Sequence, residues 1–120
     1  MHLQESGEMY LETIYVLSQQ NAGVRSIDVA EALGYSKPSV SRAVGLLKQG
    51  GYVVMDDDGS LQLTEAGLDA AHKIFERHTL LSNLLIRMGV SKQTASEDAC
   101  KIEHVISDET LNAIKEFLSK

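Results

Sequence analysis

The stretch EDACKIEHVISDE, residues 97–109, brings together three side chains that can ligate a metal: Cys100, Glu103 and His104. If the stretch is one helix, turning about 100° per residue, their i, i+3, i+4 spacing puts them on one stripe, with Ile102, Val105 and Ile106 opposite. A thiolate is a soft donor, an imidazole nitrogen borderline and a carboxylate oxygen hard, so the stripe offers a mixed set for a divalent transition metal. It could equally face water, or act as a thiol catalyst with Cys100 as nucleophile and His104 as base. The catalyst needs a third group to orient the base and an oxyanion loop, and the sequence offers neither, so no enzyme and no small-molecule substrate are expected.

Three ligands rarely complete a site. Met9 and Glu12, three apart on the first predicted helix, and His78, on a long helix later in the chain, could supply a thioether, a carboxylate and an imidazole. Each also has a plainer role: Met9 as core filler, Glu12 as a solvated charge, His78 as a surface or capping histidine, Cys100 as inert packing. His2 and His72 carry no assignment.

The elements that must position these residues follow from periodicity and caps. Residues 8–19 have helical spacing, with Tyr10, Ile14 and Leu17 on one face and Met9, Glu12 and Val16 on the next. Ser26 is the expected N-cap of a short helix over 27–33, stopped at Gly34. Ser36 caps a second helix with Pro38 in its first turn, buried through Val40, Val44 and Leu47 and ended by Gly50-Gly51. Strand-like runs at 52–55 and 61–63 flank the turn DDDGS. Thr64 then caps a long helix reaching towards Gly89, with Leu68, Ala71, Phe75, Leu81 and Leu85 as core candidates. Ser91 caps the next helix, and Ser107-Asp108-Glu109 caps a last one carrying Leu111, Ile114 and Leu118.

Helix, glycine turn, helix and hairpin in this order predict a winged helix-turn-helix, followed by an all-helical segment. The fold class is therefore mainly α, with a DNA-binding domain over residues 1–72 and a helical domain over 73–120. In such a motif the second helix reads the major groove with its N-terminal residues, so SKPSVSRAV is the reading segment. Arg42 suits a guanine edge or a phosphate, and Ser36, Ser39 and Ser41 offer hydroxyls. Lys37 adds charge, and Pro38 can touch a thymine methyl. The formal charge of −6 disfavours a generic nucleic-acid binder, but residues 24–52 carry a local +2. The aspartates of DDDGS would be repelled by phosphate, which disfavours a close wing contact. A protein-interaction scaffold of the same shape is the alternative.

At 120 residues and 43% hydrophobic, the chain suits a folded globular protein. No apolar run approaches the roughly 18 residues of a membrane span, and residues 1–7 lack the regions of a signal peptide. A cytoplasmic protein is expected. One cysteine excludes an intramolecular disulfide.

The segments EMYLETIYVL, VAEALGYSKPSVSRAV, GSLQLTEAG, ERHTLLSNLL and EDACKIEHVISDE together resemble the diphtheria toxin repressor family of metal-dependent repressors, which includes iron-dependent regulators and shorter manganese-transport regulators. The resemblance implies a homodimer with an N-terminal winged helix and a helical dimerisation domain, which binds double-stranded operator DNA when a divalent metal is bound and represses metal-uptake genes. It implies that Met9, Cys100, Glu103 and His104 match the Met, Cys, Glu and His of an iron-type site. His78 matches a histidine of a neighbouring site, and Glu12 a glutamate of manganese-type members. The dimer interface is expected on apolar faces of the C-terminal helices, including Leu80, Leu84 and the Ile102/Val105/Ile106 side.

Two departures stand out. Where iron-type members complete a second site with glutamate and histidine, this chain has Ser82 and Ser96. The layout follows the short manganese type, without a third SH3-like domain. Sulfur donors favour Fe(II) over Mn(II), while Co(II), Ni(II) or Zn(II) would bind at least as tightly in vitro. The competing expectation is a winged-helix regulator that answers thiol oxidation at Cys100, or a small ligand, in place of metal.

Overall fold

The computed structural model describes residues 5–120, with side chains from residue 7 onward, so His2 lies outside the described residues. The chain forms α1 (Glu5–Gln20), α2 (Ser26–Leu33), α3 (Lys37–Gln49), β1 (Val53–Met55), β2 (Leu61–Leu63), α4 (Glu65–Arg87), α5 (Lys92–Ile102) and α6 (Asp108–Leu118). It divides into two compact units, Met1–Ala71 and His72–Lys120, with the division falling inside α4.

In the first unit α1 packs on α2, α3 and β2, and β1 packs on α3. Leu11, Ile14, Val29 and Val40 are fully shielded, joined by Tyr10, Val44, Leu47, Val53 and Leu61. The inward face of α3 is the predicted Val40, Val44 and Leu47. On α1 the buried set is Tyr10, Leu11 and Ile14; Leu17 lies half-exposed a turn nearer the loop.

The turn between α2 and α3 is tight because Gly34 takes φ +71°, a left-handed conformation that costs glycine nothing. Its N–H and that of Tyr35 both donate to the Ala30 carbonyl, at 2.9 and 3.1 Å. Ser36 then caps α3, its Oγ accepting from the Ser39 N–H. At the start of α2 the cap is Arg25, not the expected Ser26, which is the first helical residue. Asp28 explains the shift: its carboxylate accepts from the Arg25 N–H at 2.9 Å, which satisfies this end from three residues inside the helix.

β1 and β2 pair antiparallel with Val53 opposite Leu63 and Met55 opposite Leu61. The Leu61 N–H also donates to the Val24 carbonyl at 2.6 Å, tying the hairpin to the segment before α2. At its tip Asp58 Oδ1 accepts from the Ser60 N–H at 3.0 Å and from the Ser60 hydroxyl at 2.5 Å. These bonds, with a smaller pull from Arg25, hold the Asp58 carboxyl below its usual range.

The hairpin's exit is locked to the start of α4. Thr64 Oγ1 donates to the Gly51 carbonyl at 2.6 Å and accepts from the Gly67 N–H at 3.0 Å. The Thr64 N–H donates to the Tyr52 carbonyl at 3.0 Å. Gly67 is buried there with no room to spare: a Cβ would overlap the Tyr52 carbonyl oxygen.

Of the core positions expected on α4, Ala71 and Leu81 are buried and Leu85 is half-buried, whereas Leu68 is 38% and Phe75 44% exposed and Ile74 is buried in their place. The inward line steps by three or four residues through 74, 78, 81 and 85, buried at 74 and 81 and half-buried at 78 and 85, and Phe75 falls beside it. Salt bridges from Arg77 to Asp108 (3.8 Å) and Lys115 to Glu76 (3.1 Å) run between α4 and α6, and the Arg87 guanidinium sits 5.3 Å from the Phe117 ring centroid.

The stretch 97–109 is not one helix. α5 ends at Ile102 with Glu103 as its C-cap, and Ser107 caps α6, its Oγ accepting from the Thr110 N–H. Two N–H groups, of Val105 and Ile106, fold back onto the Ile102 carbonyl and close the turn between. Ser107 and the acidic pair after it form a helix start strong enough to interrupt the run. The polarity is also reversed from the simple expectation: Glu103 is fully buried and Val105 is 71% exposed.

Two outcomes test this account. Gly67→Ala should destabilise the fold by about 1–3 kcal/mol, because backbone must move to admit the methyl group. Gly45→Ala, on a helical glycine with open space around it, should stabilise by about 0.5–1 kcal/mol. Urea unfolding of both variants reads the opposite signs. The Asp58 contribution to stability is present above the ordinary carboxylate range and lost as pH falls through its lowered value. Ser60→Ala removes the larger bond and keeps the backbone one, so the Asp58 titration followed by carboxyl NMR should move part of the way up.

Candidate metal centre

In the C-terminal unit Glu103 organises the polar residues. Its position as C-cap of α5 turns the side chain inward, where Oε2 lies 3.0 Å from His78 Nδ1 on α4 and Oε1 lies 3.3 Å from His104 Nε2. The His104 side chain is only 4% exposed. Arg77, one residue before His78, donates to the Glu103 carbonyl at 3.3 Å. The other His78 nitrogen, Nε2, is 3.5 Å from Ser96 Oγ. Cys100 lies in the last turn of α5, on the solvent side.

One donor atom each from His78, Cys100 and Glu103 all lie within 4.8 Å of one another. At bond lengths of about 2.0–2.3 Å, two donors on one ion stand at most about 4.6 Å apart, so these three need only small side-chain rotations to share a cation. The donor chemistry agrees with the distances. A carboxylate removed from water is costly unless matched by positive charge, and here two imidazoles and a thiol crowd round it. The residues present fit a divalent transition metal.

The structure thus groups four of the six sequence-predicted ligands, His78, Cys100, Glu103 and His104, within one unit. Met9 and Glu12 belong to the other unit, half-buried and one turn apart on α1. The six are not equal in kind. Cys100, Glu103 and His104 were expected on one helical stripe, but only Cys100 is on the helix; the cap and the turn deliver the other two. Arg77 was missed, although its place before a candidate ligand in ERH was the available signal. Ser82 Oγ, one helical turn after His78, is buried without a hydrogen-bond partner among the described residues.

In the N-terminal unit Ser36, Lys37, Pro38, Ser39, Ser41 and Arg42 are all exposed at the N-terminal end of α3, opposite its apolar face. Ser36 and Ser39 hydroxyls are 2.9 Å apart and bonded to each other. The wing aspartates Asp56, Asp57 and Asp58 are exposed as well.

Comparison with known proteins bears on both units. Residues 2–61 match the N-terminal DNA binding domain of iron dependent repressors, and residues 64–120 their metal binding and dimerisation domain. The chain is 34% identical to an HTH-type transcriptional regulator of Methanocaldococcus jannaschii over 98% of its own length and 96% of the relative's. It is 37% identical to the diphtheria toxin repressor of Corynebacterium diphtheriae over 89% of this chain and 48% of that protein. With the transcriptional regulator MntR of Escherichia coli it shares 34% identity over 99% of this chain and 77% of the relative. Among solved structures, a manganese-dependent transcriptional repressor in complex with manganese superposes with a TM-score of 0.87 at 27% identity, over 94% of this chain and 52% of that one. The manganese regulator SloR superposes with a TM-score of 0.84 at 28% identity, over 99% of this chain and 55% of that one. Matches spanning both units place this chain in the iron dependent repressor family of metal-dependent transcriptional repressors.

Proposed function

We propose that the chain acts as a homodimeric repressor that binds double-stranded operator DNA when Fe(II), in preference to Mn(II), is bound, and that it controls metal-uptake genes in the cytoplasm. Residues 1–72 read the DNA and residues 73–120 bind metal and dimerise. The observation that carries this reading is the fully buried Glu103 carboxylate between two imidazoles, with the Cys100 thiol within ligand distance of the same centre.

Met9, Glu12, His78, Cys100, Glu103 and His104 hold the metal. When bound, a divalent cation supplies two positive charges and directional bonds among sulfur, nitrogen and oxygen donors. Glu103 gives a pre-placed oxygen, because its cap position and the Arg77 bond to its carbonyl fix the backbone beneath it. His78 is held in register by the same carboxylate. Met9 and Glu12 bring α1, and with it the reading unit, under the control of the C-terminal donors. The two reading helices of a dimer are then set about 34 Å apart, one turn of DNA, or a multiple. With the donors unshared, the binding-competent arrangement is only fractionally populated.

At the operator, Arg42 and Lys37 supply positive charge, and Ser36, Pro38, Ser39 and Ser41 meet backbone and base edges. The dimer buries apolar faces of the C-terminal helices, where Leu80 and Leu84 are half-buried and Val105 is exposed. Sulfur from Cys100 and Met9 is the basis for Fe(II) over Mn(II), since manganese favours oxygen and nitrogen. Exposure of Cys100 favours a second reading, in which the thiol is oxidised and no metal is sensed.

Operator binding titrated anaerobically with Fe(II), Mn(II), Co(II) and Zn(II) tests the metal directly. Fe(II) should activate at lower free concentration than Mn(II), and chelator should abolish the gain. Binding indifferent to chelator, with loss on peroxide treatment of metal-free protein, would establish the second reading instead. Cys100→Ala and Glu103→Gln should each weaken metal binding at least 10-fold, a loss of about 1.4 kcal/mol or more. Isothermal titration on folded variants, confirmed by circular dichroism, measures it.

A further inference from the structure

Tyr35 has no part in the site above, yet its ring joins α1 to the residue before the N-cap of α3. It stands between the left-handed Gly34 and Ser36, the N-cap of α3. Its N–H is held by the Ala30 carbonyl at 3.1 Å, so its backbone is fixed at the end of α2. The residue is 44% exposed, and its ring meets that of Tyr10 edge to face, with centroids 6.0 Å apart and planes at 63°. Tyr10 is 8% exposed and lies on α1, next to Met9 and one residue before Leu11.

An edge-to-face ring pair is attractive over a narrow range of geometry, because the positive edge must meet the negative face. One turn of α1 carries Met9, Tyr10 and Glu12 on a single hydrogen-bonded backbone. A shift in that turn therefore moves the Tyr10 ring with it. Leu11 and Ile14 transmit such a shift into the core generally, whereas Tyr10 passes it to the residue that enters the N-cap of α3. A tyrosine serving only as a solvated surface residue would have no reason to rest on a buried ring.

We propose that the Tyr10–Tyr35 ring pair couples the Met9/Glu12 turn of α1 to the reading end of α3, making Tyr35 a positioning residue for metal-dependent operator binding. This rests on the metal-responsive reading above and adds to it the route by which α1 acts on the DNA-contacting residues. Tyr35 works through its ring, and its hydroxyl is dispensable.

The test measures operator affinity of wild-type, Tyr35→Ala and Tyr35→Phe full-length protein, each with saturating Co(II) and with chelator, and Co(II) affinity with and without operator. In wild type the ratio of the two operator affinities is the coupling, and operator must raise Co(II) affinity by the same factor. Tyr35→Ala should reduce that factor about 2- to 10-fold in both measurements, the range expected for one ring pair. Its Co(II) affinity without DNA should equal that of wild type. Tyr35→Phe should keep the full factor.

Three results overturn the proposal. A Tyr35→Ala variant that loses the same affinity with and without metal marks Tyr35 as a DNA contact or a purely structural residue. A Tyr35→Phe variant as impaired as Tyr35→Ala assigns the effect to the hydroxyl. An unchanged factor in Tyr35→Ala, with wild type metal-dependent, removes the ring pair from the route. Wild-type binding indifferent to Co(II) is different in kind, because it defeats the metal-responsive reading and this inference with it.

Discussion

Taking a carboxylate wholly out of water costs several kcal/mol unless positive charge or hydrogen bonds replace the lost hydration, and Glu103 sits under that constraint. Its surroundings follow from it. His78 comes in from α4, His104 from the turn after α5, and Arg77 fixes the backbone at the Glu103 carbonyl. A group this expensive to bury is weak evidence for stability, since an apolar residue of similar volume would pack there at lower cost. It has a use if something positive binds to it.

The N-terminal unit solves a different problem. α3 exposes polar residues at one end and is still anchored, by three buried apolar residues, a serine cap and a left-handed glycine before it. The hairpin behind it is held by Thr64 and Gly67 against the Gly51–Tyr52 backbone. At its acidic tip Asp58 accepts from Ser60 and Asp56 from Gln62, while α3 exposes the cations Lys37, Arg42 and Lys48.

Much of the site was legible in residue types. Cysteine, glutamate and histidine within five residues, with a histidine far upstream in ERH, offer the candidate donor types. The grouping was nonetheless derived from the wrong local structure. A continuous helix would have put Cys100, Glu103 and His104 on one stripe by periodicity. The chain ends the helix at Ile102 and reaches a comparable grouping through a cap and a turn.

Sequence by itself determined the order of elements, the inward face of α3 and the capping of α3, α5 and α6, because these depend on neighbours within a few residues. Local signals could not decide that Arg25 in place of Ser26 caps α2, that Ile74 and not Phe75 is buried on α4, or that Glu103 faces inward while Val105 faces out. Those outcomes depend on which surfaces meet. Burial is a property of the partner as much as of the residue, and the Glu103 carboxylate enters the core where α4 brings it the His78 imidazole and the turn after α5 that of His104. The ring contact between Tyr10 and Tyr35 is of the same kind, since 25 positions separate them and only the packing of α1 beside the turn brings the rings together.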